Sequence, residues 1–247
     1  MASPAAAVGL RVVGLVGLLA LVVGGAASLV AGFFEERSTR TTVVDGTVTA
    51  LDVRAGAGDV TVEVGPAGGP TTVTAASTWA FDPPVETRTL DAGTLRLSAT
   101  CPASATFAQR CSVDWTVSVP ADATVTVATS SGDIRVEDVA GRVALRTGAG
   151  DVRLSAVRST DVRVETGAGD ARLVFATAPD SVVTTTGAGD VTVEVPADGT
   201  TYRVVGSSGV GERRVSVAQD PASRHLLDLT SGVGDVVVAS GAAPAAG

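Results

Sequence analysis

The C-terminal half of the chain alternates between apolar and polar positions in a pattern that recurs about every 20 residues. In each repeat an aspartate precedes an apolar, a polar and an apolar residue, as in Asp151-Val152-Arg153-Leu154. This alternation has the period of two of a β-strand with one buried face. A second alternating run, such as residues 161–165, lies in the same repeat. Each repeat therefore predicts two short strands and two turns.

The spacing of the acidic residues indicates how the repeats assemble. From Asp133 to Asp235 the successive steps are 18, 19, 20, 22 and 23 residues. A period in this range is typical of stacked repeats, because a single repeat cannot bury its own inward face. We therefore predict an all-β fold, a single-chain β-solenoid or parallel β-helix-like stack with coils of about 18–23 residues. The expected stacking follows the order of the chain.

A Gly-x-Gly pair precedes most of the aspartates and indicates a corner between strands. Glycine adopts the positive φ that such corners require, and an aspartate accepts hydrogen bonds from nearby amides. The second glycine of the three clearest copies is Gly150, Gly169 or Gly189. The predicted structural corner aspartates are Asp59, Asp133, Asp151, Asp170, Asp190 and Asp235.

An apolar segment near the N-terminus predicts a membrane anchor. Residues 12–34 contain no charge, and a helix of this length spans about 34 Å, slightly more than the bilayer hydrocarbon. We predict one transmembrane helix at 12–34 after a short cytoplasmic tail at 1–11. A signal peptide cleaved near Gly25 is the alternative. Three small residues at four-residue spacing favour weak self-association of the helix: Gly24, Ser28 and Gly32.

The arginines around this segment leave its orientation open, since Arg11 precedes it while Arg37 and Arg40 follow. The signal-like order of short tail, arginine and apolar run favours an extracytoplasmic C-terminal domain. We therefore expect a single-pass protein of the cell membrane with its β-domain outside.

Cys101 and Cys111 are the only cysteines. An even, closely spaced pair in an exported domain is typical of a disulfide. The flanking alternating runs, 94–100 and 112–119, predict a hairpin stapled by this bond. A metal site is not expected, because the only histidine, His225, lies far away in sequence. No cofactor is predicted either.

Composition and charge divide the rest of the chain. We expect a polar linker at 35–42, an extracytoplasmic β-repeat domain at 43–240 and a disordered tail at 241–247. Within the β-domain, 43–127 is irregular and 128–240 carries the regular repeats. The formal net charge of −8 argues against nucleic acid as a partner.

Two groups of side chains are candidates for binding. Arg135, Arg153 and Arg172 occupy the same repeat position and should form an outward ladder about 4.8 Å apart. Their mutual repulsion requires an offset, either within the protein or from an anionic partner. The internal candidates are Glu137, Glu165 and Asp161. Aromatic residues near the cysteines predict an end cap or, alternatively, a binding patch: Trp79, Phe81, Phe107 and Trp115.

The repeated Thr-Gly-x-Gly-Asp-Val unit behind one apolar segment resembles the bacterial β-strand-repeat family called "putative adhesin", a domain family of unknown function. The resemblance covers most of 43–240 and is strongest at 129–195. It implies a β-helix-like extracytoplasmic domain of an envelope-associated protein. It supplies no catalytic residue.

Two chemical alternatives concern the stacked aspartates. Calcium needs six to eight oxygens, more than one carboxylate per corner provides, so no metal site is predicted. A carbohydrate-active enzyme would use carboxylates as closely spaced as a retaining pair, but identical repeat positions indicate a structural role. We expect a non-catalytic, adhesin-like or structural module of the cell envelope that binds a cell-wall polymer or an envelope protein. The carbohydrate-active enzyme remains the alternative.

Overall fold

The computed structural model describes residues 35–102 and 111–241, and every regular element in these ranges is a β-strand. No helix in this part of the chain is suited to cross a membrane. The predicted anchor at 12–34, with Gly24, Ser28 and Gly32, lies outside the described residues. So does Phe107, and so does the predicted tail except for Gly241, which ends the last strand.

Within the described ranges, twenty strands, numbered in chain order, form two sheets. Sheet A has the spatial order β1 (Glu35–Val44), β4 (Thr71–Ala80), β7 (Cys111–Val119), β3 (Val60–Val64), β9 (Ile134–Glu137), β11 (Val152–Val157), β13 (Ala171–Phe175), β15 (Val191–Pro196), β20 (Val236–Gly241) and β18 (Arg213–Ser216). Sheet B has the order β5 (Val85–Asp91), β6 (Thr94–Thr100), β2 (Ala50–Ala57), β8 (Thr124–Ser131), β10 (Val143–Ala149), β12 (Asp161–Ala168), β14 (Ser181–Ala188), β19 (Leu226–Val233) and β16 (Arg203–Val205), with β17 (Ser208–Val210) also paired to β19.

Each coil consists of a strand in sheet B followed by a strand in sheet A, as in β10 and β11. Neighbouring coils pair in parallel and in register, so that Val152 lies opposite Ile134 on one side and Ala171 on the other. The described part of the chain is therefore all-β with a solenoid-like stack of parallel strands. The prediction of two strands and two turns per coil is confirmed.

The core lies between the two sheets and consists of columns of aliphatic side chains. The first apolar residue after each corner aspartate is fully buried, as are its neighbours two residues later: Ile134, Val152, Ala171, Val191, Val136, Leu154, Leu173 and Val193. Sheet B contributes matching inward residues, such as Val143 and Leu145. The predicted inward face of the repeats is thus the observed core, because alternation along a strand places every second residue on the same face.

The last two coils do not stack in chain order, which corrects the prediction. The coil formed by β19 and β20 lies directly on β14 and β15, and the earlier segment of β16 to β18 covers it from outside. The physical reason is burial. Leu227 and Val236 are fully buried and need a neighbour on both sides, whereas Arg213 and Arg214 are exposed and suit the end of the stack.

At the end of the stack that begins with β1, the structure corrects two further predictions. Residues 35–42, predicted as a linker, belong to β1, which pairs antiparallel with β4. The predicted hairpin of 94–100 with 112–119 is wrong, because β6 and β7 lie in different sheets. They form another coil, parallel to β2 and β3. The predicted disulfide between Cys101 and Cys111 is present and closes the corner of this coil.

Tyr202, the only tyrosine, is buried near the end of the stack formed by β16 to β18. Its ring packs edge-on against His225, with 5.9 Å between ring centroids. The hydroxyl is buried without a hydrogen-bond partner. Burial, and secondarily the negative charge of Asp198, raise the pKa of Tyr202 to about 12.

Replacing Tyr202 by Phe should stabilise the protein by about 1 kcal/mol at neutral pH, because it removes a buried, unpaired hydroxyl. The difference should widen in alkali. The unfolded tyrosine ionises near pH 10 and the folded one near 12, so wild-type stability is complete below pH 10 and declines as pH rises to 12. Urea unfolding at pH 7, 10 and 12 measures this.

The chain contains no lysine, so no other side chain has an ordinary pKa in that interval. Equal alkaline losses in wild type and Tyr202→Phe would contradict this account of the hydroxyl.

Candidate interaction face

The corner between sheets B and A carries one acidic side chain per coil, and we call this row the corner ladder. In spatial order it consists of Asp114, Asp59, Asp133, Asp151, Asp170, Asp190, Asp235 and Glu212. The Oδ1 atom of each aspartate accepts the backbone N–H of the next member, at 2.7–2.9 Å. The ladder therefore connects all eight coils through charge-assisted hydrogen bonds.

One member of the ladder lies outside the repeat motif. Asp114 holds the position next to Asp59, because β7 pairs with β3 so that Trp115 lies opposite Val60. No Gly-x-Gly pair precedes Asp114. The signal that remained was the alternating sequence after it, Asp114-Trp115-Thr116-Val117, which has the same apolar-polar-apolar pattern as the regular repeats.

Two features, one of the side chains and one of the backbone, make the corners fit closely. The hydroxyls of Thr147, Thr166 and Thr186 donate to glycine carbonyls of the preceding coil at 3.1–3.2 Å. Gly150 has a φ of +139°, and a Cβ at this position would lie 2.2 Å from the carbonyl oxygen of Gly132. Only glycine fits here, since both the backbone angle and the approach of the neighbouring coil exclude a side chain.

Substitution of Gly150 by Ala should destabilise the protein by more than about 3 kcal/mol, through backbone strain and displacement of the adjacent coil. Gly199 provides a matched control, because its φ is +84° but a Cβ there would meet nothing within 4 Å. Gly199→Ala should cost only about 1–2 kcal/mol. Thermal or urea unfolding of both variants checks the comparison, and equal losses would mean that coil contact adds nothing to the φ requirement.

Removal of the Asp151 carboxylate should destabilise the stack by about 1.5–3 kcal/mol in Asp151→Ala, because the amide of Asp170 loses its charged acceptor. Asp151→Asn keeps an oxygen acceptor and should lose less. Asp161→Ala is the control, since its half-exposed carboxylate has only two long contacts, with Arg142 at 3.7 Å and with the hydroxyl of Thr160 at 3.5 Å. Urea unfolding ranks the three variants, and an effect of Asp151→Ala no larger than that of Asp161→Ala would refute the structural role.

The three predicted arginines lie side by side on the outer face of sheet A. Arg153 is in register with Arg135 on one neighbouring strand and with Arg172 on the other. Their side chains are 38%, 44% and 56% exposed in the order Arg135, Arg153 and Arg172. We call this set the arginine row. Half-exposed guanidinium groups are accessible from solvent while their stems lie on the sheet.

The corner ladder offsets the positive charge of the row. Arg153 donates to Oδ2 of Asp151 at 2.8 Å and lies 3.5 Å from Oδ2 of Asp133. Arg135 makes the same pair of contacts with Asp133, at 2.9 Å, and with Asp59, at 3.5 Å. Asp133 precedes Arg135 by two residues and Asp151 precedes Arg153 by two, so the side chains of each pair share one face of their strand.

The predicted internal offset is therefore present, but it comes from the corner ladder and not from Glu137, Glu165 and Asp161. Glu165 lies on sheet B, where it binds Arg146 at 2.7 Å and Arg163 at 2.6 Å. Asp161 contacts Arg142. Glu194, which the sequence analysis did not consider, binds Arg172 instead. It lies on β15, two residues along from Thr192, the register partner of Arg172, and only the pairing of the strands reveals it.

The bonding of the corner carboxylates accounts for their repetition. One oxygen of each aspartate accepts an amide of the next coil, and the second oxygen of Asp133 and Asp151 contacts an arginine. Among residues 35–102 and 111–241, no group of three or more His, Cys, Asp or Glu side chains is placed to hold a metal ion. The arrangement holds coils together, and the carbohydrate-active alternative gains no support from it.

A model of the Toastrack DUF4097 family matches residues 21–239, most of the chain. The chain belongs to the Toastrack DUF4097 family. This is a family of domains of unknown function, so membership identifies the architecture and leaves the activity open. No curated protein matches the sequence.

Several crystal structures are similar to this member of the Toastrack family. A putative cell adhesion protein from Clostridium sporogenes is 12% identical with a TM-score of 0.49, and the match covers 83% of this chain and 100% of that chain. A putative adhesin from Bacteroides fragilis is 13% identical with a TM-score of 0.49, covering 83% and 97%. A putative adhesin from Parabacteroides distasonis is 10% identical with a TM-score of 0.31, covering 83% and 97%. Identities this low carry no information about activity.

Proposed function

We propose that this Toastrack domain is a non-catalytic module, anchored in the cell membrane and facing outward, that binds an anionic polymer of the cell envelope through the arginine row. The observation that carries the proposal is the register of Arg135, Arg153 and Arg172 on adjacent strands. Strands in a sheet are about 4.8 Å apart, so the row offers evenly spaced cations to a ligand that repeats its own charges.

The row is suited to binding because its arginines are held in place and still have free donors. A guanidinium has five N–H donors, and the contacts of Arg153 with Asp151 and Asp133 use two of its nitrogens. The side chains of the row are 38–56% exposed, so phosphate or carboxylate groups can approach the remaining donors and form paired hydrogen bonds with them. Fixing the side chains in advance reduces the entropy lost when a ligand binds.

Two further features support an extracytoplasmic location. The apolar segment at 12–34 is long enough to span a bilayer as a helix. The disulfide between Cys101 and Cys111 is of a kind that persists in oxidising compartments and is rare in the cytosol. Both features favour a domain that functions outside the membrane.

The proposal predicts that Arg153→Gln combined with Arg172→Gln lowers retention of the full-length chain on isolated cell-wall polymer by about tenfold or more, because two charge-assisted contacts are lost. The thermal midpoint should change little, since exposed ion pairs contribute about 0–1 kcal/mol each. Retention should also weaken with salt. Co-sedimentation with purified wall polymer and with wall-free membranes provides the measurement.

Sheet B supplies the matched control for charge. Arg146 and Arg163 are exposed arginines that share one carboxylate, Glu165, and replacing both by Gln changes the net charge equally. Retention should stay within about twofold of wild type in this control. Equal losses in the two double variants would refute a specific row, and retention only on wall-free membranes would point to an envelope protein as the partner.

A further inference from the structure

The two sheets are unequal at the end of the stack that begins with β1. Beyond the coil of β6 and β7, sheet A continues with β4 and β1, whereas sheet B continues only with β5. The inward face of β1 therefore has no strand opposite it in sheet B. In the described part of the chain, β5 pairs with β6 alone, so its second edge presents backbone groups without a strand partner.

A groove lies where the missing strand would be. A cavity of about 220 Å³ is lined by Arg40 and Thr42 of β1, Val73 and Ala75 of β4, Glu86 to Arg88 of β5, and Trp115. A second cavity of about 210 Å³ shares Arg40, Ala75 and Glu86 with the first and extends it towards Trp79 and Pro84. Val73, Ala75 and Trp115 are buried and form an apolar floor between charged walls.

Register shows that the charged residues face into this groove. Arg40 lies opposite Ala75, and Arg88 lies opposite Leu97. Directly opposite residues of antiparallel strands share a face of the sheet. Since Ala75 and Leu97 are buried between the sheets, Arg40 and Arg88 stand on the same inward side.

The groove contains donors without acceptors. Within residues 35–102 and 111–241, neither Arg40 nor Arg88 forms a salt bridge or donates a hydrogen bond, while most other arginines there do. The indole Nε1 of Trp115 is buried and also lacks a partner. The single carboxylate in the groove, Glu86, accepts a hydrogen bond from the hydroxyl of Ser77. The groove therefore offers donors, and two positive charges against one negative charge, to a ligand.

The opposite end of the stack is built differently. There the edge strands β16, β17 and β18 contain only three or four residues each. Glu212, the last member of the corner ladder, binds Arg214 at 2.6 Å, and Arg213 donates to the backbone carbonyl of Val204. Short strands and charged side chains protect a sheet edge from further pairing. The seven residues of β5 pair with β6 without a register shift and include no proline.

We propose that the edge of β5 is a strand-addition site for an extended acidic segment of a partner protein. The added segment would pair with β5 through its backbone and complete sheet B opposite β1. Its inward carboxylates would meet Arg40 and Arg88. A peptide fits better than a polymer without amides, because a strand edge offers alternating N–H and C=O groups that another backbone matches along its length. The inward charges make an apolar strand unfavourable at the same place.

This site is separate from the arginine row, and its test does not depend on the proposed function. The probe is a fluorescent synthetic peptide of about nine residues that alternates glutamate with threonine, added to the full-length chain. We expect saturable binding by anisotropy and slower amide hydrogen exchange in residues 85–91. Replacing every second backbone N–H of the peptide by N-methyl should weaken binding about tenfold or more, because those donors are lost.

Protein variants separate charge at the groove from charge elsewhere. Arg40→Gln with Arg88→Gln should weaken binding of the acidic peptide by about tenfold. The control is Arg203→Gln with Arg224→Gln, two exposed arginines towards the other end of the stack, and it should change binding less than twofold. Variants whose thermal midpoint matches wild type are the ones compared.

Several outcomes would overturn the proposal. These are absence of binding by the acidic peptide, equal binding of the N-methylated peptide, or slowed exchange at β18 instead of β5. Protection of 85–91 that rises with protein concentration in the absence of peptide would identify a second copy of the chain as the occupant. Loss of wall retention in the arginine-row variants with unchanged peptide binding would leave this inference intact.

Discussion

The hydrogen bond from the backbone amide of one coil to the carboxylate of the next is the interaction on which this fold depends. It occurs at the corner, where the close approach of successive backbones excludes every residue but glycine at positions such as Gly150. An amide that faces a neighbouring coil here needs an acceptor, because an unpaired buried N–H is costly. Asp151 supplies one to Asp170, and the same bond recurs along the stack.

The corner bond also determines the chemistry of the outer face of sheet A. The carboxylate that accepts the amide through Oδ1 places Oδ2 beside the arginine two residues later, as in Asp151 and Arg153. The ladder thus serves cohesion and orients the cations at the same time. In this Toastrack domain the ordered arginines of sheet A are a by-product of the bond that holds the coils together.

Much of this architecture could be predicted from the sequence, because each coil experiences the same environment and repeats the same residues. Val152 and Leu154 stand at core positions, and Asp151 stands at a corner, in a pattern that single repeats already display. The pairing of Arg153 with Asp151 could also have been predicted, since residues two apart share a strand face. The sequence instead suggested other carboxylates, among them Glu165, which lies on sheet B and binds other arginines.

The order of the coils could not be predicted from the sequence, because the similarity that makes the repeats recognisable also makes their corners interchangeable. The corners resemble one another closely, so the repeat motif by itself does not determine that Asp190 pairs with Asp235 and not with Glu212. Burial decides it, through side chains such as Leu227 that need cover on both sides. Asp114 could not be recognised as a corner residue because no glycine pair precedes it. The unequal ends of the two sheets could not be predicted either, because they depend on strand pairings between residues far apart in sequence.

The inverted order of the last two coils has a consequence for how the protein reaches its native state. During synthesis the segment of β16 to β18 emerges before β19 and β20, yet its docking surface is made by those later strands. Growth of the stack by successive addition must therefore stop after β15 until the C-terminal strands arrive. Closing such a loop costs entropy before any contact is gained, so completion of this end is a late, cooperative event.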